Sequence, residues 1–113
     1  MPKKETESPM SDEREQRYLS MISQFPDSPL GYFSLGRYLI EQARFEEAVE
    51  RLRRCTELDP TYAAALVSLG DALAGAGKST DARQVFAKAR EAALAQNHPS
   101  LAEEIDERVE ELG

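Results

Sequence analysis

The chain has 113 residues, of which 41% are hydrophobic, enough for one small domain with a modest core and too few for two. Charged residues make up 31% and aromatic residues 7%, with no tryptophan, a balance typical of soluble helical proteins and unlike collagen-like or mucin-like chains. The net charge is −7, from 14 Lys and Arg against 21 Asp and Glu. Such a chain repels a phosphate backbone, so we expect no nucleic-acid partner.

The first ten residues differ in character from the rest of the chain. Residues 1–10 are polar and contain two prolines, so we expect a disordered tail ahead of a single domain at 11–113. This segment has no apolar run that could act as a signal peptide, and no stretch approaches the roughly 18 consecutive apolar residues of a membrane span. The single cysteine, Cys55, cannot form an internal disulfide. We therefore expect a cytoplasmic protein with no membrane partner.

The first predicted elements are two helices separated by a short turn. Apolar residues recur at three- and four-residue steps from residue 11 onward, which predicts a helix that stops before Pro26. Ser28 then offers a capping oxygen, and Pro29 suits the first turn of a helix. That helix is predicted to run over 29–42.

A further helix follows a tight turn at 43–44. Its apolar stripe covers 45–58, and the helix is predicted to end ahead of Pro60. Glu47 and Glu50 each precede an arginine by four residues. This order favours ion pairs along the exposed side of the helix.

The same pattern then repeats with a period of 34 residues. Pro26 and Pro60 are one period apart. The same interval relates Leu35-Gly36 to Leu69-Gly70, Tyr32 to Leu66, Leu39 to Leu73, Ala48 to Ala82, Leu52 to Phe86, and Cys55 to Ala89. A period of this length built from two helices is typical of a solenoid, in which each unit buries its apolar face against a neighbour.

These positions resemble the tetratricopeptide repeat family, which places Leu-Gly on the first helix of a repeat and Ala, an aromatic residue, Ala and Pro on the second. The resemblance divides the domain into a half repeat at 11–28, repeats at 29–62 and 63–96, and a closing helix at 97–113. It implies an all-α fold, a right-handed superhelix of antiparallel helix pairs. The second repeat has Leu94 where the family proline would stand, so its second helix is expected to run past the usual stop.

One segment matches a nucleotide-binding motif. Residues 72–79, ALAGAGKS, satisfy a relaxed phosphate-loop pattern that ends in Gly77-Lys78-Ser79, which raises a nucleotide-binding enzyme as a remote alternative. A working phosphate loop follows a buried β-strand, whereas the residues ahead of this segment are alanine-rich with helical spacing. We interpret the segment as the turn within the second repeat, where Gly77 ends one helix and Ser79 or Thr80 caps the next.

No catalytic, metal or cofactor site is expected elsewhere. His98 has no second histidine or cysteine nearby to form a metal set. Cys55 falls on a small-residue position of a packed helix, which predicts a buried, inert thiol. We therefore expect a protein that is not an enzyme.

The candidate site is a surface. The family usually binds peptides or partner helices in a concave groove formed by the first helices of stacked repeats, and the candidate groove residues here are Leu30, Phe33, Arg37, Ile40, Val67 and Asp71. Three of these, Phe33, Ile40 and Val67, are more apolar than a solvated groove requires, which favours a partner that buries them. We expect a protein or peptide partner. Two alternatives stay open: the terminal helices cover the groove, or the protein is a homodimeric assembly component that uses it.

Some members of the family bind acidic chaperone C-termini through a clamp of Lys, Asn and Arg side chains. The comparable positions here hold Phe33, Arg37, Ser68 and Asp71. Only Arg37 has the character of the clamp, and Asp71 would repel a terminal carboxylate. The resemblance therefore does not extend to chaperone-tail binding.

Overall fold

The computed structural model describes the backbone of residues 9–113 and the side chains from residue 13 onward. The described residues form six helices and no strand, in the order α1 (Pro9–Gln24), α2 (Pro29–Glu41), α3 (Phe45–Leu58), α4 (Ala63–Gly75), α5 (Ser79–Ala95) and α6 (Pro99–Glu111). The all-α prediction is confirmed. Helix α1 begins two residues before the predicted start, and residues 1–8 of the predicted tail lie outside the described residues.

The predicted start of α2 is confirmed by its cap. Ser28 is the N-cap residue, and its Oγ accepts a hydrogen bond of 3.3 Å from the Leu30 N–H. Pro29 occupies the first turn, where its missing N–H leaves no helical bond unmade.

Three tight turns share one geometry. Ala43, Gly77 and Asn97 each adopt the left-handed conformation, with φ of 58°, 80° and 65°. In each turn the next N–H bonds to the carbonyl five residues earlier: Arg44 to Leu39 at 2.9 Å, Lys78 to Leu73 at 2.8 Å and His98 to Ala93 at 2.8 Å. This is the Schellman arrangement, which satisfies the last carbonyls of a helix and reverses the chain. It joins α2 to α3, α4 to α5 and α5 to α6.

Within each repeat the two helices approach closely because a glycine faces a large side chain. A Cβ at Gly36 would lie 2.4 Å from Leu52 Cγ, and one at Gly70 would lie 2.4 Å from Phe86 Cε1. Neither position has room for a side chain, so glycine is needed where the two helices of each repeat approach each other. The largest fully buried side chains, which mark the core, are Phe86, Leu35, Leu39, Leu52, Leu73, Ile105 and Cys55.

Helix α1 is tied to the first repeat by charge as well as by packing. The Arg44 guanidinium, at the N-cap of α3, bonds both oxygens of Glu47 at 2.8 and 2.9 Å and both oxygens of Glu15 in α1 at 3.0 Å. Glu47 bonds to Arg44, which lies three residues earlier, whereas its predicted partner Arg51 acts on the Glu47 carboxylate through its charge. The partner predicted for Glu50, Arg54, contacts Glu57 at 3.3 Å.

The closing helix α6 packs against α5. Ala102 and Ile105 are its buried residues, and Ile105 is completely enclosed. Arg90 of α5 bonds to Asp106 at 2.9 Å, and Arg83 donates to the Gly113 carbonyl. Among the described residues no helix combines the length and the apolar character needed to cross a membrane.

Candidate functional site: a groove between the inner helices and the closing helix

Helices α2, α4 and α6 together form a groove. Its central cavity, of about 310 Å³, is lined by Arg37, Ile40, Glu41, Ala64, Val67, Ser68, Asp71, Leu101 and Arg108. A cavity of about 670 Å³ toward the start of α4 shares Ala64 and Leu101 with it, and one of about 320 Å³ toward the end of α4 shares Asp71 and Arg108. We call these three adjoining cavities the groove. It extends along the whole length of α4.

Four of the six predicted groove residues line the central cavity: Arg37, Ile40, Val67 and Asp71. The other two do not. Leu30 lies at the start of α2 and is 56% exposed. The Phe33 ring packs against Tyr62, with ring centroids 4.9 Å apart, and the Arg37 guanidinium carbon lies 5.8 Å from the Phe33 ring centre. The structure thus places four of the predicted side chains together, and their part in binding stays a prediction.

The apolar groove positions are less exposed than their sequence pattern indicates. Val67 is only 7% exposed, and Phe33 and Ile40 are half-buried. Leu101 of α6 lines the same cavity as Ile40 and Val67. The closing helix therefore forms one wall of the groove and covers part of its apolar surface, while the groove itself stays open.

The charged pair Asp71 and Arg108 spans the centre of the groove. The Arg108 Nε donates to Asp71 Oδ1 at 2.8 Å, and its Nη1 lies 3.8 Å from Glu104. Burial raises the pKa of the Asp71 carboxyl above its ordinary value, although Arg108 and, more weakly, Arg37 favour the ionised form. Asp71 is thus a carboxylate whose charge is balanced within the chain.

Two lining residues, Leu101 and Arg108, come from the closing helix and were not among the predicted site residues. Each had a signal in the sequence. Leu101 belongs to the apolar stripe of α6, and Arg108 is the only Lys or Arg among residues 97–113, which carry six carboxylates.

The segment that resembles a phosphate loop is a turn between two helices. It joins α4 to α5, and no strand lies among residues 9–113. The N–H groups of Gly77 and Lys78 bond to the carbonyls of Ala74 and Leu73, so they do not converge on a ligand. The interpretation as a turn is confirmed, but the predicted cap is wrong. Lys78 is the N-cap, without a side-chain cap bond, and Ser79 is the first residue of α5.

Two other potentially reactive side chains, Cys55 and His98, lie in opposite environments, one buried and one exposed. Cys55 has no exposed surface, and burial, with a smaller contribution from Asp59, raises the pKa of its thiol to about 11. The prediction of a buried thiol is confirmed. His98 is the exposed N-cap of α6. The described part of the chain holds no group of three or more His, Cys, Asp or Glu residues arranged to bind a metal ion.

The chain is similar in sequence to proteins with the predicted repeat. Residues 33–100 match the family model described as tetratricopeptide repeat. A TPR repeat-containing protein of Pseudomonas aeruginosa is 38% identical over 66 residues, which cover 58% of this chain and 63% of that protein. The match therefore spans less than two thirds of the relative's length.

Solved structures show the same fold. The TPR2B domain of yeast Sti1, in its complex with pHsp70, superposes with a TM-score of 0.83 at 24% identity and covers 87% of this chain and 78% of that one. A protein from Bordetella parapertussis, known from a solution structure, gives a TM-score of 0.75 at 31% identity and covers 87% and 85%. With its 34-residue period, its paired helices and these matches, the chain belongs to the tetratricopeptide repeat family.

Proposed function

We propose that this chain is a non-catalytic interaction module that binds a peptide or a partner helix in the groove. The observation that carries the proposal is the groove itself, a continuous concave surface to which three helices contribute both apolar and charged side chains. Such a mixture suits a ligand held by burial and oriented by polar contacts. The Sti1 domain, which shares the fold, forms a complex with pHsp70, so the fold is compatible with a protein or peptide partner.

The placement of the reactive groups supports a role without catalysis. The Cys55 thiol is enclosed, and burial stabilises its protonated form. The Lys78 segment uses its backbone N–H groups to close a turn. Both observations favour a binding role over a catalytic one.

The experiment is a selection of peptides on the wild-type protein, followed by affinity measurements on two matched variants. Ala64→Trp fills the groove, because Ala64 is exposed and lines two of its cavities. Ala87→Trp adds the same side chain at an exposed position of α5. Neither substitution enters the core, so both proteins should fold.

We expect the selected peptides to lose about tenfold or more in affinity for Ala64→Trp and to keep their affinity for Ala87→Trp. Equal binding to both variants would move the binding site elsewhere. Light scattering of the wild type and of Ala64→Trp over a range of concentrations tests self-association through the groove. A dimer that the substitution dissociates would make the groove an assembly interface instead.

A further inference from the structure

The groove is electrostatically uneven along its length. Its lining residues include five carboxylates and two guanidiniums: Glu41, Asp59, Asp71, Glu104 and Glu111 against Arg37 and Arg108. Both arginines act on the Asp71 carboxylate, Arg108 through a 2.8 Å hydrogen bond and Arg37 through its charge. The positive charges of the groove are therefore concentrated at its centre.

The two ends of the groove are acidic. Toward the start of α4 the lining contains Asp59 and Glu104 and no lysine or arginine. Toward the end of α4 the lining contains Asp71 and Arg108, which are bonded to each other, and Glu111, whose charge acts unfavourably on Asp71. Glu111 gives this end an excess of one negative charge. A cation placed at either end would meet an attractive potential, and an anion would be repelled.

Between these ends, apolar side chains line the central cavity beside the Asp71–Arg108 pair. Ile40, Val67 and Leu101 come from three different helices and line one cavity of about 310 Å³, a space that suits one large aliphatic or aromatic side chain. Helix α4 has 13 residues, so the groove is about 20 Å long. An extended peptide of roughly six residues covers that length.

We infer that the ligand of this groove is a basic peptide segment with an apolar residue at its middle. This inference rests on the proposed function and adds the chemistry of the partner. The apolar side chain occupies the cavity between Ile40, Val67 and Leu101. Lysine or arginine side chains on either side of it reach Asp59 and Glu104 at one end and Glu111 at the other. The net charge of −7 attracts such a segment before contact.

The test uses three pools of fluorescein-labelled octapeptides with Leu, Ile, Phe or Met at the two central positions. The outer positions carry only Lys and Arg in the first pool, only Asp and Glu in the second, and only Ser and Gln in the third. Binding is followed by fluorescence anisotropy. We expect the basic pool to bind about tenfold more tightly than the acidic pool, the order of effect that two or three exposed ion pairs produce.

A pair of variants separates the groove from the overall charge of the protein. Glu104→Lys with Glu111→Lys reverses two exposed groove carboxylates, and Glu103→Lys with Glu107→Lys reverses two exposed carboxylates that line none of the three cavities. The change in net charge is the same in both proteins. We expect the first variant to lose the preference for the basic pool and the second to keep most of it.

Other outcomes would overturn the inference in distinguishable ways. Equal loss in the two charge variants would mean that the preference reports net charge alone. Tight binding of the acidic or neutral pool, abolished by Ala64→Trp, would retain the proposed function and reject a basic ligand. If no pool binds, the inference fails, and the peptide selection still tests the proposed function. If Ala64→Trp leaves binding unchanged, both the inference and the proposed function fail.

Discussion

The Nε atom of Arg108 lies 2.8 Å from Oδ1 of Asp71, and this bond joins the closing helix α6 to α4, the first helix of the second repeat. The two side chains are 33% and 35% exposed, so water screens their attraction only in part. Arg108 is the only cation of a helix that otherwise carries carboxylates. The pair therefore helps to hold α6 beside the groove, together with the packing of Ile105 against the core.

Loss of this pair should destabilise the protein by a measurable amount. Arg108→Met keeps the apolar stem of the side chain and removes its charge, which leaves the Asp71 carboxylate half-buried without its hydrogen-bond donor. We expect a decrease of about 1 kcal/mol in the free energy of unfolding, measured by urea denaturation. The control is Arg90→Met. Its pair with Asp106 is about half exposed, so the loss should be smaller, and equal losses would contradict this account.

The contact between Gly70 and Phe86 makes a second prediction. In Gly70→Ala the new Cβ would lie 2.4, 2.6 and 2.7 Å from three atoms of the Phe86 ring. A rigid ring cannot move aside without displacing its neighbours, so we expect a loss of about 1–3 kcal/mol in the free energy of unfolding. Thermal or urea denaturation measures it.

A compensating substitution tests the cause of that loss. Phe86→Leu creates space on its own and should destabilise the protein. Combined with Gly70→Ala, it should cost less than the sum of the two single losses, because the methyl group then occupies part of the vacated volume. Additive losses would show that the clash with Phe86 is not what destabilises Gly70→Ala.

The left-handed turns predict a stabilising substitution. Ala43 and Gly77 occupy equivalent positions one period apart, yet Ala43 has a side chain at a φ of 58°, where an L-residue is strained. Ala43 is exposed, so Ala43→Gly gives up no buried contact. Glycine relieves the strain but gives the unfolded chain more conformational entropy, which offsets part of the gain. We expect a net rise of about 0.5–1 kcal/mol in the free energy of unfolding.

The reverse substitution is the control for this turn. A Cβ at Gly77 would meet no atom within 4 Å, so Gly77→Ala tests backbone strain alone. It should destabilise the protein by an amount similar to the gain in Ala43→Gly. A neutral result at both positions would show that these turns tolerate a Cβ freely.

The repeat architecture could be predicted because its signals are local and recur. The 34-residue period assigned Gly36 and Leu52 to the two helices of the first repeat, and Gly70 and Phe86 to the two helices of the second. In the structure Gly36 lies directly against Leu52, and Gly70 lies directly against Phe86. The ends of the first helices could be predicted from the positions of the prolines and from the capping residue Ser28. The start of α5 could not, because Lys78 takes the cap position without a side-chain bond, and the backbone turn at Gly77 decides where the helix begins.

The groove could be predicted only in part, since one of its three helices, α6, reaches it through contacts distant in sequence. The helical pattern placed Arg37, Ile40, Val67 and Asp71 on one surface. It did not show that the closing helix would turn back over that surface and bring Arg108 to Asp71, 37 residues away. An apolar stripe indicates which face of a helix is buried. It does not indicate which neighbour buries it or which charges then meet.

The buried thiol of Cys55 leads to a prediction about chemical reactivity. Its side chain is fully enclosed in a cluster with Tyr32 and Ala65, and burial raises its pKa from an ordinary value of 9.0 to about 11. Only the thiolate attacks thiol reagents, and two units of pKa lower the thiolate fraction near neutral pH by about a hundredfold. We expect the native protein to react with a chromogenic disulfide at least that much more slowly than the protein in urea. Similar rates in both conditions would contradict a closed, protonated thiol.

The raised pKa of Cys55 also sets the sign of a pH dependence. The native state binds the thiol proton more tightly than the unfolded chain does, so Cys55 lowers the free energy of unfolding as pH rises from 9 toward 11. Urea denaturation of the wild type and of Cys55→Ala over that range measures this contribution as the difference between the two slopes.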